Sequence, residues 1–328
     1  GMVFTMAANA LSVSDYKQSW EYKTLMRQQA LDMDEPLSRV LTLQSHNAYN
    51  SSAYGSGFQY IDPNHTLSIT NQLEIGMRHF EMDVHKMYGN IILCHGSGAN
   101  EDTGCIGTER DLKDGLREIA DWLAQHPKEV IGVGFEDHMD GDYSQGLQDI
   151  FDSYLGLYAY KPSGTGCVSS PWDSVSKRDI LDAGKQVVLF GTKGSGCSTA
   201  ESAGWNDWVY KNGYGSARAM IENRQCTETV DYMDSHSVRV YEDRTKLSDM
   251  FSDPLHLNAD DVAFALTCNI NVIGLDKVVP GDSRIAATLW SWDVNQPNQS
   301  ADDDDCGILR DSGRFEDRTC GDDRAYNY

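Results

Sequence analysis

Short runs of apolar residues alternate along the chain with longer stretches in which apolar residues recur at helical spacing. The runs that we interpret as strands are Val40–Leu43, Arg78–His85, Ile91–Cys94, Val130–Phe135, Val187–Phe190, Val238–Tyr241, Val272–Leu275 and Ala286–Trp290. The predicted helices are Leu112–Gln125, Gln145–Leu155, Ser216–Asn223 and Ala259–Thr267. About eight strands over about 250 residues predict a parallel α/β fold, a TIM-type (β/α)8 barrel that is regular or distorted. A doubly wound sheet is disfavoured because no GxGxxG fingerprint follows the first strand.

Two terminal segments depart from this pattern. Residues 1–36 predict a polar, helical N-terminal segment, and residues 37–294 contain the barrel. Residues 295–328 hold the acidic run Asp302–Asp305 and two cysteines, Cys306 and Cys320. Because they are too few for an independent domain, they predict a C-terminal extension, stapled by a disulfide and packed on the barrel.

The segment His79–His85 alternates strictly between polar and apolar residues. A strand puts successive side chains on opposite faces, so His79, Glu81, Asp83 and His85 share one face. On a surface strand this face would meet water, whereas in a barrel it would line the lumen. Carboxylates two residues apart in a lumen repel each other and are costly to desolvate, so they would need a cation.

Further polar residues follow other apolar runs. His46 and Asn47 come after the first predicted strand, His95 after the third, and Glu136 at the end of the fourth. Catalytic residues of barrel enzymes lie at the carboxyl ends of the strands. An internal network of ion pairs is the alternative, and it is weakened because Arg78 is the basic residue adjacent in sequence to these carboxylates.

The charge balance excludes several partners. The chain has 328 residues and a net charge of −23, which argues against binding to nucleic acid or to an anionic membrane, since both need a basic face. Eight cysteines without a CxxC pair, and Asn-x-Ser/Thr sequons at Asn50, Asn64 and Asn298, favour a secreted glycoprotein with disulfides. We expect an extracellular location, with a secretion signal already removed.

Four motifs carry a family resemblance. Ser45–Tyr49, Gly76–Val84, Cys94–Gly96 and Phe135–His138 resemble, in order and spacing, the X-type domain of phosphatidylinositol-specific phospholipase C (PI-PLC). The match covers residues 40–140 and is looser beyond them. The resemblance implies a TIM-type barrel that cleaves an inositol phospholipid or related glycolipid at a peripheral membrane surface. An inositol hydroxyl would attack the phosphodiester internally.

The resemblance also implies a metal. One branch of the family holds Ca2+ with Asn, Glu, Asp and Glu, and the other carries an arginine in place of the metal. This chain resembles the calcium branch, because Asn47, Glu81, Asp83 and Glu136 fall on the ligand positions. Oxygen ligands of this kind suit Ca2+, with Mg2+ as the second choice.

The resemblance assigns acid–base roles as well. His95 would protonate the leaving alkoxide, while His46 would act on the phosphoryl group or as the base. Glu81 or Glu136 is the alternative base. Substrate contacts are expected from Lys193 and Trp290, although a solvated lysine and a core aromatic are the alternatives.

Other interpretations stay open. A glycerophosphodiesterase or a sphingomyelinase-D-like phospholipase would use the same barrel, and a secreted non-catalytic ligand-binding barrel would need neither histidine. We expect a monomer, and disulfides that close short loops, Cys94 with Cys105 and Cys306 with Cys320.

Overall fold

The computed structural model describes residues 11–55, 59–96, 104–139, 144–160, 174–191, 208–210, 222, 224, 237–251, 257–268, 270–289, 306–310, 315–319 and 326–327. Its strands are β1 Thr42–Ser45, β2 His79–Met87, β3 Asn90–Leu93, β4 Ile131–Asp137, β5 Val187–Gly191, β6 Trp208–Tyr210, β7 Ser237–Tyr241, β8 Val272–Leu275, β9 Cys306–Leu309, β10 Phe315–Arg318 and β11 Tyr326–Asn327. Its α-helices are α1 Val13–Tyr16, α2 Trp20–Leu31, α3 Ile69–Glu74, α4 Leu112–Gln125, α5 Ser144–Tyr154, α6 Lys177–Asp182, α7 Ala259–Thr267 and α8 Ser283–Ala287.

One sheet contains seven parallel strands in the order β5-β4-β2-β1-β8-β7-β6. The central position of β1, between β2 and β8, is the closure expected when the first and last strands of a barrel meet. β3 pairs antiparallel with β2 and lies off this path. In the part of the chain that the structure describes, helices follow β1, β3, β4 and β7, so the fold is the α/β barrel that the apolar pattern predicted.

Helix α4 shows why the connecting segments become helices. Its buried residues Leu112, Leu116, Ile119 and Leu123 recur at three- and four-residue intervals, so they form one apolar stripe against the sheet. Capping boxes begin two other helices, with Ser176 and Asp179 at α6 and Asn258 and Asp261 at α7.

One predicted strand was wrong in kind, and another was a strand with an unexpected direction of pairing. Ala286–Trp290 was predicted to be a barrel strand, but Ser283–Ala287 is helix α8, which begins at Asp282, whose side chain accepts a hydrogen bond from the Arg284 N–H. Short apolar runs do not distinguish a strand from a buried helix. The run Ile91–Cys94 forms a hairpin with β2, because the turn Tyr88–Gly89 takes positive φ angles and reverses the chain.

The terminal segments have the predicted secondary structure only in part. Helices α1 and α2 lie in the N-terminal segment, and Tyr16 and Leu25 are buried in the main core. In the C-terminal segment β10 and β11 pair antiparallel with β9. The acidic run Asp302–Asp305, Cys320 and the Cys306 side chain lie outside the described residues. Within the described part of the chain, no helix is long and apolar enough to cross a bilayer.

Candidate active site

The strand register brings the predicted polar residues to one end of the barrel. Ser45, the last residue of β1, is paired with Phe80 of β2 and with Leu275 of β8. Asp83 of β2 is paired with Glu136 of β4. The residues that follow these positions therefore meet at the carboxyl ends of the parallel strands, which we call the barrel mouth.

The alternation of β2 is seen in its packing. Phe80, Met82 and Val84 belong to the main hydrophobic core, which lies against the helices. Their neighbours on the other face, Glu81 and Asp83, are only 1% and 2% exposed and point into the lumen. His79 and His85 are buried on the same face. Strand β4 places Gly134 beside Glu81, so no β4 side chain competes for this position.

His46 lies between two carboxylates. Its Nδ1 is 3.2 Å from both carboxylate oxygens of Asp276, and its Nε2 is 3.5 Å from Glu81 Oε2. Burial disfavours the charged ring, but the charges of Asp276 and Glu81 outweigh it and raise the pKa of His46 to about 9. The two carboxylates therefore favour the protonated form of the ring at neutral pH.

Two hydrogen-bond donors and the ring of His65 hold the side chain of Asp276 in place. The Arg244 backbone N–H donates to its Oδ2 at 2.5 Å, and Asn64 Nδ2 donates to the same oxygen at 3.0 Å. His65 Nε2 lies 3.6 Å from Oδ1 and 2.7 Å from the His46 carbonyl oxygen. Burial lowers the pKa of His65 to about 3, so this ring is neutral and supports the backbone of His46.

Glu81 has a cationic partner from the opposite side of the lumen. Arg239 of β7 donates from NH1 to Glu81 Oε1 at 2.7 Å and to Gln44 Oε1 at 3.0 Å, and both charged side chains are 1% exposed. The guanidinium lies 4.3 Å over the ring of Tyr241, which stacks on His46 at 4.5 Å. Gly274 makes room for this layer, because a Cβ there would lie 2.6 Å from Tyr241 Cβ.

The other side of the mouth gathers acidic and amide groups. Ligand atoms of Asp83, Glu136 and His138 all lie within 4.8 Å of one another. The amide of Asn47, turned so that its nitrogen faces Asp83, donates to both carboxylate oxygens at 3.0 and 3.1 Å. Asn47 takes a positive φ of 47°, which asparagine tolerates, and so leaves β1 in a tight turn. Burial raises the pKa of Asp83, and the charges of Glu136 and Glu81 add to this effect.

His95 reaches the same mouth on the loop that follows β3. A disulfide between Cys94 and Cys105, with Cα atoms 5.8 Å apart, confirms the predicted short loop beside it. Burial lowers the pKa of His95, and the charge of His46 lowers it further. The backbone N–H of Cys94 donates to the carbonyl oxygen of Asp83 at 3.3 Å, which holds the start of this loop at the mouth.

Of the other residues singled out in the sequence, some are buried and some lie outside the described part of the chain. Asn50 and Asn64, two of the three sequon asparagines, are buried, and Asn50 donates to Asn64 Oδ1 at 2.6 Å. The folded protein therefore offers no acceptor for a glycan at either residue. Asn298, Lys193 and Trp290 lie outside the described residues.

Comparison with known proteins identifies the family. The model of the family described as "Rv2075c PI-PLC-like domain" matches residues 4–282. The chain belongs to this family. It is 30% identical over 334 residues to protein Rv2075c of Mycobacterium tuberculosis, across 94% of this chain and 68% of that protein. It is 27% identical over 155 residues to PI-PLC X domain-containing protein 1 of Arthroderma benhamiae, across 46% and 47%.

The Rv2075c PI-PLC-like fold is also shared with a solved bacterial enzyme. The phosphatidylinositol-specific phospholipase C of Staphylococcus aureus superposes with a TM-score of 0.53 at 15% identity, over 84% of this chain and 98% of that one. At this identity the likeness shows the fold alone. The PI-PLC resemblance and the barrel predicted from sequence are thereby confirmed.

Several residues of this PI-PLC-like mouth were missed in the sequence. Asp276 directly follows the apolar run of β8, so the rule that located His46 and Glu136 would also have found it. Arg239 and Tyr241 alternate with apolar residues on β7, which places both in the lumen by the same argument as Glu81 and Asp83. The sequence argument against an internal network of ion pairs was wrong here. It considered basic residues close in sequence, whereas Arg239 is 158 positions from Glu81 in the chain but adjacent to it in space.

Proposed function

We propose that this protein is a phospholipase C-type phosphodiesterase that cleaves an inositol phospholipid or a related glycolipid. The observation that supports this proposal best is the position of His46, whose ring lies between Asp276 and Glu81 at the same mouth as His95 and the carboxylates of Asp83 and Glu136. The mouth thus combines a cation for a phosphoryl oxygen with groups that can take and give protons, as attack by an inositol hydroxyl requires.

His46 serves the phosphoryl group better than it serves as base. A base must begin without its proton, whereas the charges of Asp276 and Glu81 raise the pKa of His46 to about 9 and so favour its protonated form. A buried, preorganised cation stabilises the charge that develops on the phosphoryl oxygens. Tyr241, stacked on the ring, keeps its plane fixed.

His95 and Glu136 take the two proton transfers in this proposal. His95 is the acid that the family resemblance implies. Burial and the charge of His46 lower its pKa, so its ring must take up a proton before it can protonate the leaving alkoxide. Glu136 lies half-exposed at the mouth, and burial followed by the charge of Glu81 raises its pKa, which makes it a better base than an ordinary carboxylate. Glu81, the other base considered, is engaged by Arg239.

The donor set fits a divalent cation on the Asp83 side. Asn47, Asp83 and Glu136 would hold it, and calcium is the ion that the family resemblance implies. When bound, such an ion supplies charge neutralisation and lowers the pKa of a coordinated hydroxyl. The two carboxylates at the mouth support this assignment, and Asn47 would join them by turning its amide oxygen toward the ion.

An exposed apolar tip beside the mouth supports a substrate that lies in a membrane. Leu247, Met250 and Phe251 are 51%, 72% and 86% exposed, at or beside a short 3-10 helix that follows β7. Their loop is anchored to the mouth, because the backbone of Arg244 donates to Asp276. We define these three residues as the apolar tip. With a chain charge of −23, it suits a bilayer of mainly zwitterionic lipids.

Secretion remains part of the proposal. The disulfide between Cys94 and Cys105 supports an oxidising compartment. An extracellular enzyme of this kind would meet its substrate in the outer leaflet of a membrane or in a lipid mixture.

A cleavage screen tests the proposed function. Phosphatidylinositol, a glycosylated inositol lipid, sphingomyelin and glycerophosphocholine are each incubated with the protein, with chelator or with added Ca2+. We expect release of a phosphorylated head group from an inositol lipid, and loss of this activity with chelator. Release of choline or glycerol would identify the sphingomyelinase-D-like or glycerophosphodiesterase alternative, and no turnover of any of these compounds would favour a binding barrel.

A further inference from the structure

The four metal ligands implied by the family resemblance are not equivalent in this structure. Glu81 Oε1 lies 2.7 Å from Arg239 NH1, and its other oxygen faces His46 at 3.5 Å. Both partners of the Glu81–Arg239 pair are 1% exposed. Turning Glu81 toward a metal would leave the buried guanidinium without its carboxylate, which is strongly unfavourable.

His138 offers a nitrogen ligand close to the carboxylates of Asp83 and Glu136, and Glu81 does not belong to this group. The described residues contain two groups whose possible ligand atoms lie within 4.8 Å of one another: Asp83, Glu136 and His138, and His46, Asp243 and Asp276. Neither group contains Glu81, and in the second His46 already pairs with Asp276. His138 Nε2 is 3.7 Å from Glu136 Oε1, and its ring stacks on His85 at 4.7 Å, which fixes its orientation. The Asn47 amide nitrogen lies 3.0 and 3.1 Å from the two Asp83 oxygens, so a rotation of this amide would turn its oxygen toward an ion held by Asp83.

The charges of the mouth agree with this division. Arg239 balances Glu81, and His46 balances Asp276. Asp83 and Glu136 lie side by side in the strand register, and a divalent cation between them would offset their mutual repulsion. A set of two carboxylates, an amide and an imidazole suits Mn2+ as well as Ca2+, because nitrogen ligands favour transition metals.

We propose that Asn47, Asp83, Glu136 and His138 form the metal-binding set of this chain, and that Arg239 keeps Glu81 out of it. Arg239 is then a positioning residue, which holds Glu81 on His46 instead of on the metal. The proposed metal-binding set lies in the same barrel mouth as the proposed catalytic groups, and so it rests on the same site. It is tested without any lipid, so that either can fail while the other stands.

Metal titration of the full chain, stripped of metal, provides the test. Calorimetry with Ca2+ and with Mn2+ is run on the wild type and on Asp83→Asn, Glu81→Gln, His138→Gln and Arg239→Gln. Arg78→Gln is the matched control, since Arg78 is a buried arginine paired with Glu129 at the opposite end of the barrel. Circular dichroism checks that each variant is folded.

The expected results separate the two ligand sets. Asp83→Asn and His138→Gln should each weaken binding of Mn2+ by about tenfold or more, whereas Glu81→Gln should change it by less than about threefold. Arg239→Gln should strengthen binding, because the released Glu81 can then reach the ion, and Arg78→Gln should leave it unchanged. A gain of affinity cannot result from damage to the fold.

Three outcomes would overturn the inference. They are a wild type that binds neither ion, a His138→Gln variant with wild-type affinity, and a Glu81→Gln variant that loses as much affinity as Asp83→Asn. If Glu81→Gln proves unfolded, the His138→Gln result decides alone, since His138 lies beyond the last residue of β4 and the buried pair joins Glu81 to Arg239.

Discussion

On one side of the barrel mouth each carboxylate has a cation, and on the other side the carboxylates have each other. Glu81 faces Arg239 at 2.7 Å and Asp276 faces His46 at 3.2 Å, all four buried. Asp83, by contrast, has its pKa raised by burial and then by the charge of Glu136. We call these the paired side and the acidic side. On the paired side Glu81 and Asp276 already have cationic partners within the folded protein, whereas on the acidic side a bound cation would relieve the repulsion between Asp83 and Glu136.

The largest expected effect separates His46 of the paired side from His95. His95→Ala should reduce turnover of the natural lipid by about 10²–10⁴-fold, because the leaving alkoxide loses its proton donor. A substrate with an activated leaving group should recover much of this loss, since it does not need protonation. His46→Ala should show no such recovery, because its cation acts on the phosphoryl oxygens. Equal recovery of both variants would show that the roles are assigned wrongly.

Stability measurements should distinguish the two sides directly. Arg239→Met leaves Glu81 buried without its guanidinium and should cost about 3–5 kcal/mol of unfolding free energy, whereas Arg239→Met with Glu81→Leu should recover most of it. Asp83→Asn, the matched change on the acidic side, should leave the metal-free protein as stable as the wild type or more so, because it removes repulsion. Urea unfolding in the presence of chelator measures all three. A costly Asp83→Asn would contradict the comparison.

The sequence predicted the acidic side better than the paired side, for a physical reason. Alternation along one strand and the position after a strand end are local signals, and they place Asp83, Glu136 and Asn47 at the mouth. The pairing of Arg239 with Glu81 depends on which strands face each other across the lumen, and residues from β2 and β7 meet there only after closure of the barrel. Asn64 was similarly hidden, since its sequon suggested a surface residue although it donates to Asp276.

The elements of the fold were likewise predicted where their sequence signals are local. Helices α4 and α7 have the predicted bounds, because their apolar stripes and caps are local. The antiparallel course of β3 was missed, since its apolar residues do not encode the direction of pairing. Helix α8 was missed because five residues are too few to show a helical period.

A smaller effect concerns the neutral His65 under the paired side. Its pKa is about 3 when folded and 6.5 when unfolded, so the unfolded state binds the extra proton between these values. This group therefore contributes no pH dependence above pH 6.5, and below it lowers stability by about 1.4 kcal/mol per pH unit. His65→Gln, which retains an N–H donor, should lose stability less steeply than the wild type between pH 6 and pH 4. Parallel curves in urea unfolding would refute this.

The smallest effect concerns membrane attachment at the edge of the paired side. Phe251→Ser should weaken binding to phosphatidylcholine vesicles that contain a small fraction of phosphatidylinositol by about tenfold, because burying a phenylalanine contributes about 1.5–3 kcal/mol. Leu157→Ser is the matched control, since Leu157 is 83% exposed but lies before β5, at the opposite end of the barrel. Co-sedimentation measures both variants. Equal losses for the two would show that the apolar tip has no special role.

The bond that the enzyme breaks tests the central claim most directly. Phosphatidylinositol in mixed micelles is incubated with the protein and followed by phosphorus NMR, with an Asp276→Asn variant as control. We predict that the lipid phosphorus signal is replaced by that of a water-soluble inositol phosphate, cyclic or opened, while diacylglycerol appears. The variant should lose most of this conversion. Formation of phosphatidic acid, or an unchanged lipid signal in both calcium- and manganese-containing buffer, would contradict the account.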